Sequence, residues 1–257
     1  MGRVVTYCVP SRLQPWPYIM NLAAARTHRT VQSGPFRGMR YIDQSYGSSL
    51  IPKWLGIYER ELHDCIEDAI AFPFQTVVDI GAAEGYYAVG LAMRMRDARV
   101  IAYEMDPSAR VLLRRMVELN GVESRVAVKE LCTSRDLAAT LNTSGLTLVV
   151  CDAEGGEALL LDPIRVPGLE ACHILVELHD DLIYGVSQEI RDRFLMTHSI
   201  TQIWQEERHR SEFPYRTTYT RIFPSSLDLG VSEFRSAKMV WNWMRPDKAG
   251  AHRGITG

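Results

Sequence analysis

Acids and glycines carry the chemical signal in this chain. Asp79 lies near the end of a short β-branched run, Val77-Val78-Asp79-Ile80, and the turn Gly81-Ala82-Ala83-Glu84-Gly85 follows directly. Two glycines and two alanines let backbone come close to a ligand, and a helix predicted from the spacing of Tyr87, Leu91 and Met95 points its free N–H groups at the same place. Glu104 closes the next apolar run, Arg99–Glu104, about 19 residues beyond Gly85, where a carboxylate can take both hydroxyls of a ribose. The glycines stand four apart and do not form G-x-G-x-x-G, so a ribose is implied and a pyrophosphate is not.

A second group of acids stands at the ends of two later apolar runs. Asp152 terminates Leu146–Asp152, and an acid ending a wholly apolar strand is costly unless it meets a cationic ligand or a hydrogen-bond network. Glu154 and Glu157 follow it. Glu177, His179, Asp180 and Asp181 end the run that begins at Cys172. Such residues can position an acceptor and take its proton, and His179 titrates near neutrality when unperturbed. Glu157 also suits the first turn of a helix, where the dipole favours an acid. No lysine or arginine is interleaved within either group of acids, 152–157 or 177–181. A cationic or proton-donating acceptor is therefore expected, and Glu177→Gln should lower turnover more than cofactor affinity.

These residues must be positioned by alternating strands and helices. The expected order is a helix over Ile51–Ala71, strands at Val77–Ile80, Arg99–Glu104, Arg125–Leu131, Leu146–Asp152 and Cys172–Glu177, a helix at Gln188–Met196, and strands at Ile200–Gln205 and Met239–Met244. Asp106-Pro107 opens a helix that Asn120-Gly121 ends. Residues 1–50 read as an N-terminal extension with a short helix near Tyr18–Arg26, and 51–257 as the main domain. The long stretch before the last strand contains Phe213–Tyr219, which suits a lid or a dimer contact.

With 257 residues, 46% of them hydrophobic, the chain can bury a sizeable core. Its net charge of −2 gives no general attraction for nucleic acid or an anionic membrane, and Arg208-His209-Arg210 reads as a solvated loop. No apolar stretch has the length of a membrane helix. Five cysteines without C-x-x-C spacing fit a reduced, cytoplasmic protein.

The combination Asp79-x-Gly81-x-x-x-Gly85 with Glu104 resembles the S-adenosylmethionine-binding half of class I methyltransferases. Cys151-Asp152-Ala153-Glu154-Gly155-Gly156-Glu157 and Ile174–Leu178 look like the D-x-E-G-x-E and following strand of the FkbM-like members, a likeness over roughly residues 56–180. The resemblance implies an α/β, Rossmann-like doubly wound seven-stranded sheet, with S-adenosylmethionine as cofactor and a small-molecule acceptor. It implies cofactor contacts from Tyr58, Glu59, Asp79, Gly81, Ala82, Glu84, Gly85, Tyr86, Tyr87, Glu104, Met105 and Asp152, with Leu131 and Cys132 against the adenine. Asp152, Glu154, Glu177 and His179 become the catalytic candidates. No residue set is assigned to a metal, although Asp180-Asp181 could imitate one, and a chelator is expected to change nothing. A homodimer is compatible with this reading. The alternatives are a cofactor-binding protein without catalysis and a metal-dependent O-methyltransferase of a diol. Gly81→Val is expected to abolish cofactor binding while leaving the fold.

Overall fold

The structure is a computed structural model and describes residues 14–235 and 237–247. Its described residues form two compact units, 14–60 with 206–234, and 61–205 with 235 and 237–247.

The first unit contains α1 (Pro15–Thr27) and α2 (Leu50–Leu55), joined from far along the sequence by α9 (Thr218–Ile222) and α10 (Ser225–Val231). Tyr18 stacks on Tyr219 with ring centroids 3.9 Å apart, and its hydroxyl lies 2.9 Å from Thr217 Oγ1. Phe213 is fully buried, so this part of Phe213–Tyr219 belongs to the unit's own core. Arg208 is also buried and pairs with the buried Glu233 at 2.8 Å, while Arg210 pairs with Asp228. The expected solvated basic loop is thus half spent on internal ion pairs. The single helix expected over Ile51–Ala71 is broken as well. Gly56 caps α2 at φ 75°, and a Cβ there would stand 2.1 Å from Ser33 O, so only glycine ends the helix at this point. A new helix, α3, begins at His63 and runs to Ala71.

The second unit is built on one sheet. Its strands are β1 (Thr76–Ile80), β2 (Arg99–Tyr103), β3 (Val126–Lys129), β4 (Thr147–Cys151), β5 (His173–Leu178), β6 (His198–Trp204) and β7 (Val240–Pro246). They lie in the order β3-β2-β1-β4-β5-β7-β6. The first five are parallel, and β7 runs antiparallel between β5 and β6. This is a doubly wound, Rossmann-like sheet of seven strands.

β1 and β4 are buried along their whole length, as central parallel strands covered on both faces must be. The connecting helices include α4 (Tyr86–Arg94), α5 (Pro107–Asn120), α6 (Ser134–Asn142), α7 (Glu157–Leu160) and α8 (Val186–Phe194). Asp106 caps α5 by accepting from the Ser108 and Ala109 amides, and Gly121 closes it at φ 65°. α6 was not anticipated, although Thr133 and Asp136 form a capping box at its start. Ile190 and Phe194 of α8 are fully buried in the core beneath β5.

Candidate functional site

The carboxyl ends of β1, β2, β4 and β5 all open on one edge of the sheet, where ligands of doubly wound folds bind. The first cluster gathers around the β1–α4 turn. The Gly81 and Ala82 amides both donate to Tyr103 O at the end of β2, at 2.9 and 3.0 Å. Glu104 is buried and its carboxylate is clamped, with Oε2 accepting from the Ala83 amide and Oε1 from the Asp106 amide, both at 2.8 Å. Each carboxylate oxygen has a second lone pair, so the clamp orients the group and still permits hydroxyl donors.

Gly81 and Gly85 adopt φ 80° and 98°. A Cβ on Gly81 would stand 1.7 Å from the Asp152 carbonyl oxygen, and one on Gly85 2.4 Å from Leu113 Cδ1. The Asp152 amide in turn donates to Ile80 O at 2.9 Å. Gly81 is therefore required by the meeting of two backbones. The expectation that Gly81→Val leaves the fold intact is corrected by this contact, because valine would have to displace the end of β4.

Asp79 is fully enclosed, and its Oδ2 has no hydrogen-bond partner among the described residues. Burial, reinforced by the charges of Asp152 and Glu104, pushes its carboxyl up to about 7, with the Ala88 amide working the other way. Of the other expected cofactor contacts, Ala82, Glu84 and Tyr86 are buried at the turn, and Tyr87 is half-buried with its ring 6.2 Å from that of Trp241. Met105 and Leu131 are exposed at the ends of β2 and β3. Cys132 is buried, which raises its thiol to about 12. Tyr58 and Glu59 belong to the first unit. There the Lys53 ammonium lies 4.7 Å from the Tyr58 ring centre, and the Glu59 amide donates to Glu233.

The second cluster joins the ends of β4 and β5. His179 Nδ1 lies 2.7 Å from Glu157 Oε1. Glu157 is wholly buried, and both of its oxygens accept from the Gly155 amide at 3.1 and 3.0 Å. Burial opposes the carboxylate, but the bonds from His179 and from the backbone outweigh it and hold Glu157 below its ordinary value. Burial likewise opposes a charged His179, and the Glu157 bond with Asp152 and Asp181 nearby raises it overall. The carboxylate accepts, so Nδ1 carries the proton and Nε2 faces Asp152 Oδ1 at 3.6 Å. Glu177, also buried, takes Arg235 Nη1 on Oε1 at 2.5 Å. Asp152, Glu177 and His179 each bring a ligand-capable atom within 4.8 Å of the others, a set able to hold a cation.

Glu154 is exposed at φ 44°, and Asp180 is occupied by the amide and hydroxyl of Ser187. The sequence did not reveal Arg235, because 58 residues separate it from Glu177. The absence of interleaved cations along the sequence therefore does not carry over to space.

No family model matches this chain, and no curated protein matches it. Among solved structures, it is similar to human methyltransferase 10 domain containing protein (12% identity, 90% of this chain and 96% of that one, TM-score 0.49). It is also similar to precorrin 8W decarboxylase of Methanobacterium thermoautotrophicum (17%, 70% and 87%, TM-score 0.47). A further likeness is to the C-terminal domain of precorrin-6Y C5,15-methyltransferase from Rhodobacter capsulatus (15%, 70% and 85%, TM-score 0.43). The FkbM-like resemblance is corrected, since no family model matches the chain. What stands is the doubly wound, mostly parallel sheet itself. In this chain the D-x-E-G-x-E stretch has a local explanation, because its last glutamate holds the Gly155 amide and His179.

Proposed function

We propose that this protein is an S-adenosylmethionine-dependent methyltransferase acting on a small molecule in a biosynthetic pathway. The observation that carries the reading is the clamped Glu104 carboxylate beside a buried, unsatisfied Asp79 oxygen at the β1–α4 turn. One group suits the two hydroxyls of a ribose and the other a cationic ligand group, and S-adenosylmethionine carries both. Ala82, Glu84, Gly85, Tyr86 and Tyr87 would line the turn side, and Met105, Leu131 and Cys132 the base side. When bound, the cofactor supplies a methyl group on a sulfonium, already activated for transfer.

The protein's own task is then to orient the acceptor and hold its proton. Asp152, Glu154, Glu177 and His179 are proposed for it, with either an oxygen or a nitrogen acceptor. Their acidity favours an amine or guanidinium, and the Arg235 guanidinium on Glu177 reduces that preference by neutralising one of the acids. A cytoplasmic homodimer without nucleic-acid or membrane partners completes the reading. Among the described residues, no helix is long and apolar enough to cross a membrane.

Calorimetry with S-adenosylhomocysteine tests the reading directly. Saturable one-to-one binding, weakened by Glu104→Ala, is expected. No heat of binding in a natively folded chain would refute it.

A further inference from the structure

The pair His179 and Asp152 presents a geometry that the methyl-transfer reading does not explain. His179 is buried, its Nδ1 proton is committed to Glu157, and its Nε2 faces a carboxylate oxygen at 3.6 Å, too far for a hydrogen bond. Nε2 and Asp152 Oδ1 thus stand close enough for one cation, a proton on the imidazole or a metal ion, to lie between them. Glu177 adds a third donor, and the three atoms lie within 4.8 Å of one another. Donors about 2.1 Å from a common ion stand about 3 Å apart when adjacent and about 4.2 Å apart when opposite, so an ion would have to draw atoms at this spread inward by roughly half an ångström.

We infer that Asp152, Glu177 and His179 form a binding site for a first-row divalent metal ion, with Glu157 as the carboxylate that orients the histidine. A metal-bound histidine ordinarily donates its other ring N–H to a carboxylate or carbonyl, which fixes the tautomer and strengthens the ligand, and Glu157 does this here. Glu157 is in turn locked by the Gly155 amide. Two carboxylates and one imidazole favour Mn²⁺ over Mg²⁺, which takes oxygen ligands and parts reluctantly with its water. Arg235, paired with Glu177 Oε1, is the resident cation that the ion must share this carboxylate with or move aside. The inference reverses the expectation of a metal-free site. It is independent of whether S-adenosylmethionine binds, and with the ion in place the rim would favour an oxygen acceptor over a cationic one.

The test uses the untagged full chain in a buffer free of imidazole and chelator, titrated with Mn²⁺ and followed by electron paramagnetic resonance. One saturable site per chain is expected. Asp152→Asn and His179→Gln should each weaken it at least tenfold, and Glu157→Gln, which retains all three ligands, roughly ten- to a hundredfold. Pulsed resonance on the wild-type complex should show coupling of the electron spin to an imidazole nitrogen, a measurement that does not depend on any variant folding. Absence of saturable Mn²⁺ binding, absence of that coupling, or a natively folded His179→Gln chain that binds as tightly as wild type would overturn the inference.

Discussion

Asp79→Asn should make the ligand-free protein more stable and do so increasingly as the pH rises. In the folded chain the Asp79 carboxyl is raised from 3.8 to about 7, chiefly by burial. The folded state therefore holds a proton that the unfolded chain has released over this range, and stability falls as pH climbs from about 4 to about 7, then levels. At about 1.4 kcal/mol per pH unit, the loss approaches about 4 kcal/mol above pH 7 and is only about 1.5 kcal/mol at pH 5. Asparagine keeps the shape without the charge and should recover most of that difference. With about 2–4 °C of Tm per kcal/mol, the variant should melt roughly 8–16 °C higher than wild type at pH 8 and about 3–6 °C higher at pH 5. Differential scanning calorimetry at both pH values, with chelator present to keep metal from Asp152, measures this. The same variant should bind S-adenosylhomocysteine more weakly, because the buried charge is what a cationic ligand group would meet. A gain that is equal at both pH values, or a variant less stable than wild type at pH 8, would refute the argument.

Glu104→Ala should weaken S-adenosylhomocysteine binding by roughly 2–4 kcal/mol, since it removes a charge-assisted acceptor and frees the Ala83 and Asp106 amides; unchanged affinity by calorimetry would exclude Glu104 from the site. Gly81→Ala and Gly121→Ala form a matched pair, both at positive φ, but a Cβ meets the Asp152 carbonyl in the first and open space in the second. Gly121→Ala should cost about 1 kcal/mol for its backbone alone and Gly81→Ala about 1–3 kcal/mol more, so equal Tm shifts would show that the close approach is unimportant. Arg235→Gln should destabilise by up to about 3 kcal/mol by stripping a buried carboxylate of its partner, and adding Glu177→Gln should restore most of this in denaturant melts. His173 is held down to about 4 by burial and by the charges of His198 and Arg245. Its neutral form is the stable one, so stability should fall as pH drops from 6.5 towards 4, and His173→Gln should flatten that part of the curve.

Much of the fold was legible because the signals were local. β-branched runs gave the strands, Asp106-Pro107 and Asn120-Gly121 gave both ends of α5, and the strand-ending acids lie together at one end of the sheet, as their places in the runs implied. What escaped was set by distance in sequence. Arg235 reaches Glu177 across 58 residues, and Arg208 reaches Glu233 across 25. No pattern within either segment announces such a pairing. The return of residues 206–234 to the N-terminal unit is of the same kind. The break at Gly56 was missed for another reason. Hydrophobic periodicity continued through it, while the decisive fact was the close approach of Ser33. Glu157 does open α7 as its first-turn acid, and the contact that the sequence hides is with His179, 22 positions away.

The contact of Gly81 with the Asp152 carbonyl makes the two halves of the site a single mechanical part. No side chain lies between them to change rotamer and absorb a displacement, and the Asp152 amide is tied back to Ile80 on the other side. A shift of Asp152 by a few tenths of an ångström must therefore move the β1–α4 turn, and ordering of the turn by a ligand must stiffen Asp152. Interior packing of this density transmits strain instead of dissipating it. Sequence change within this scaffold would then be channelled away from the strand end, towards the exposed Leu182-Ile183-Tyr184 loop after β5, where side chains can change without disturbing the turn.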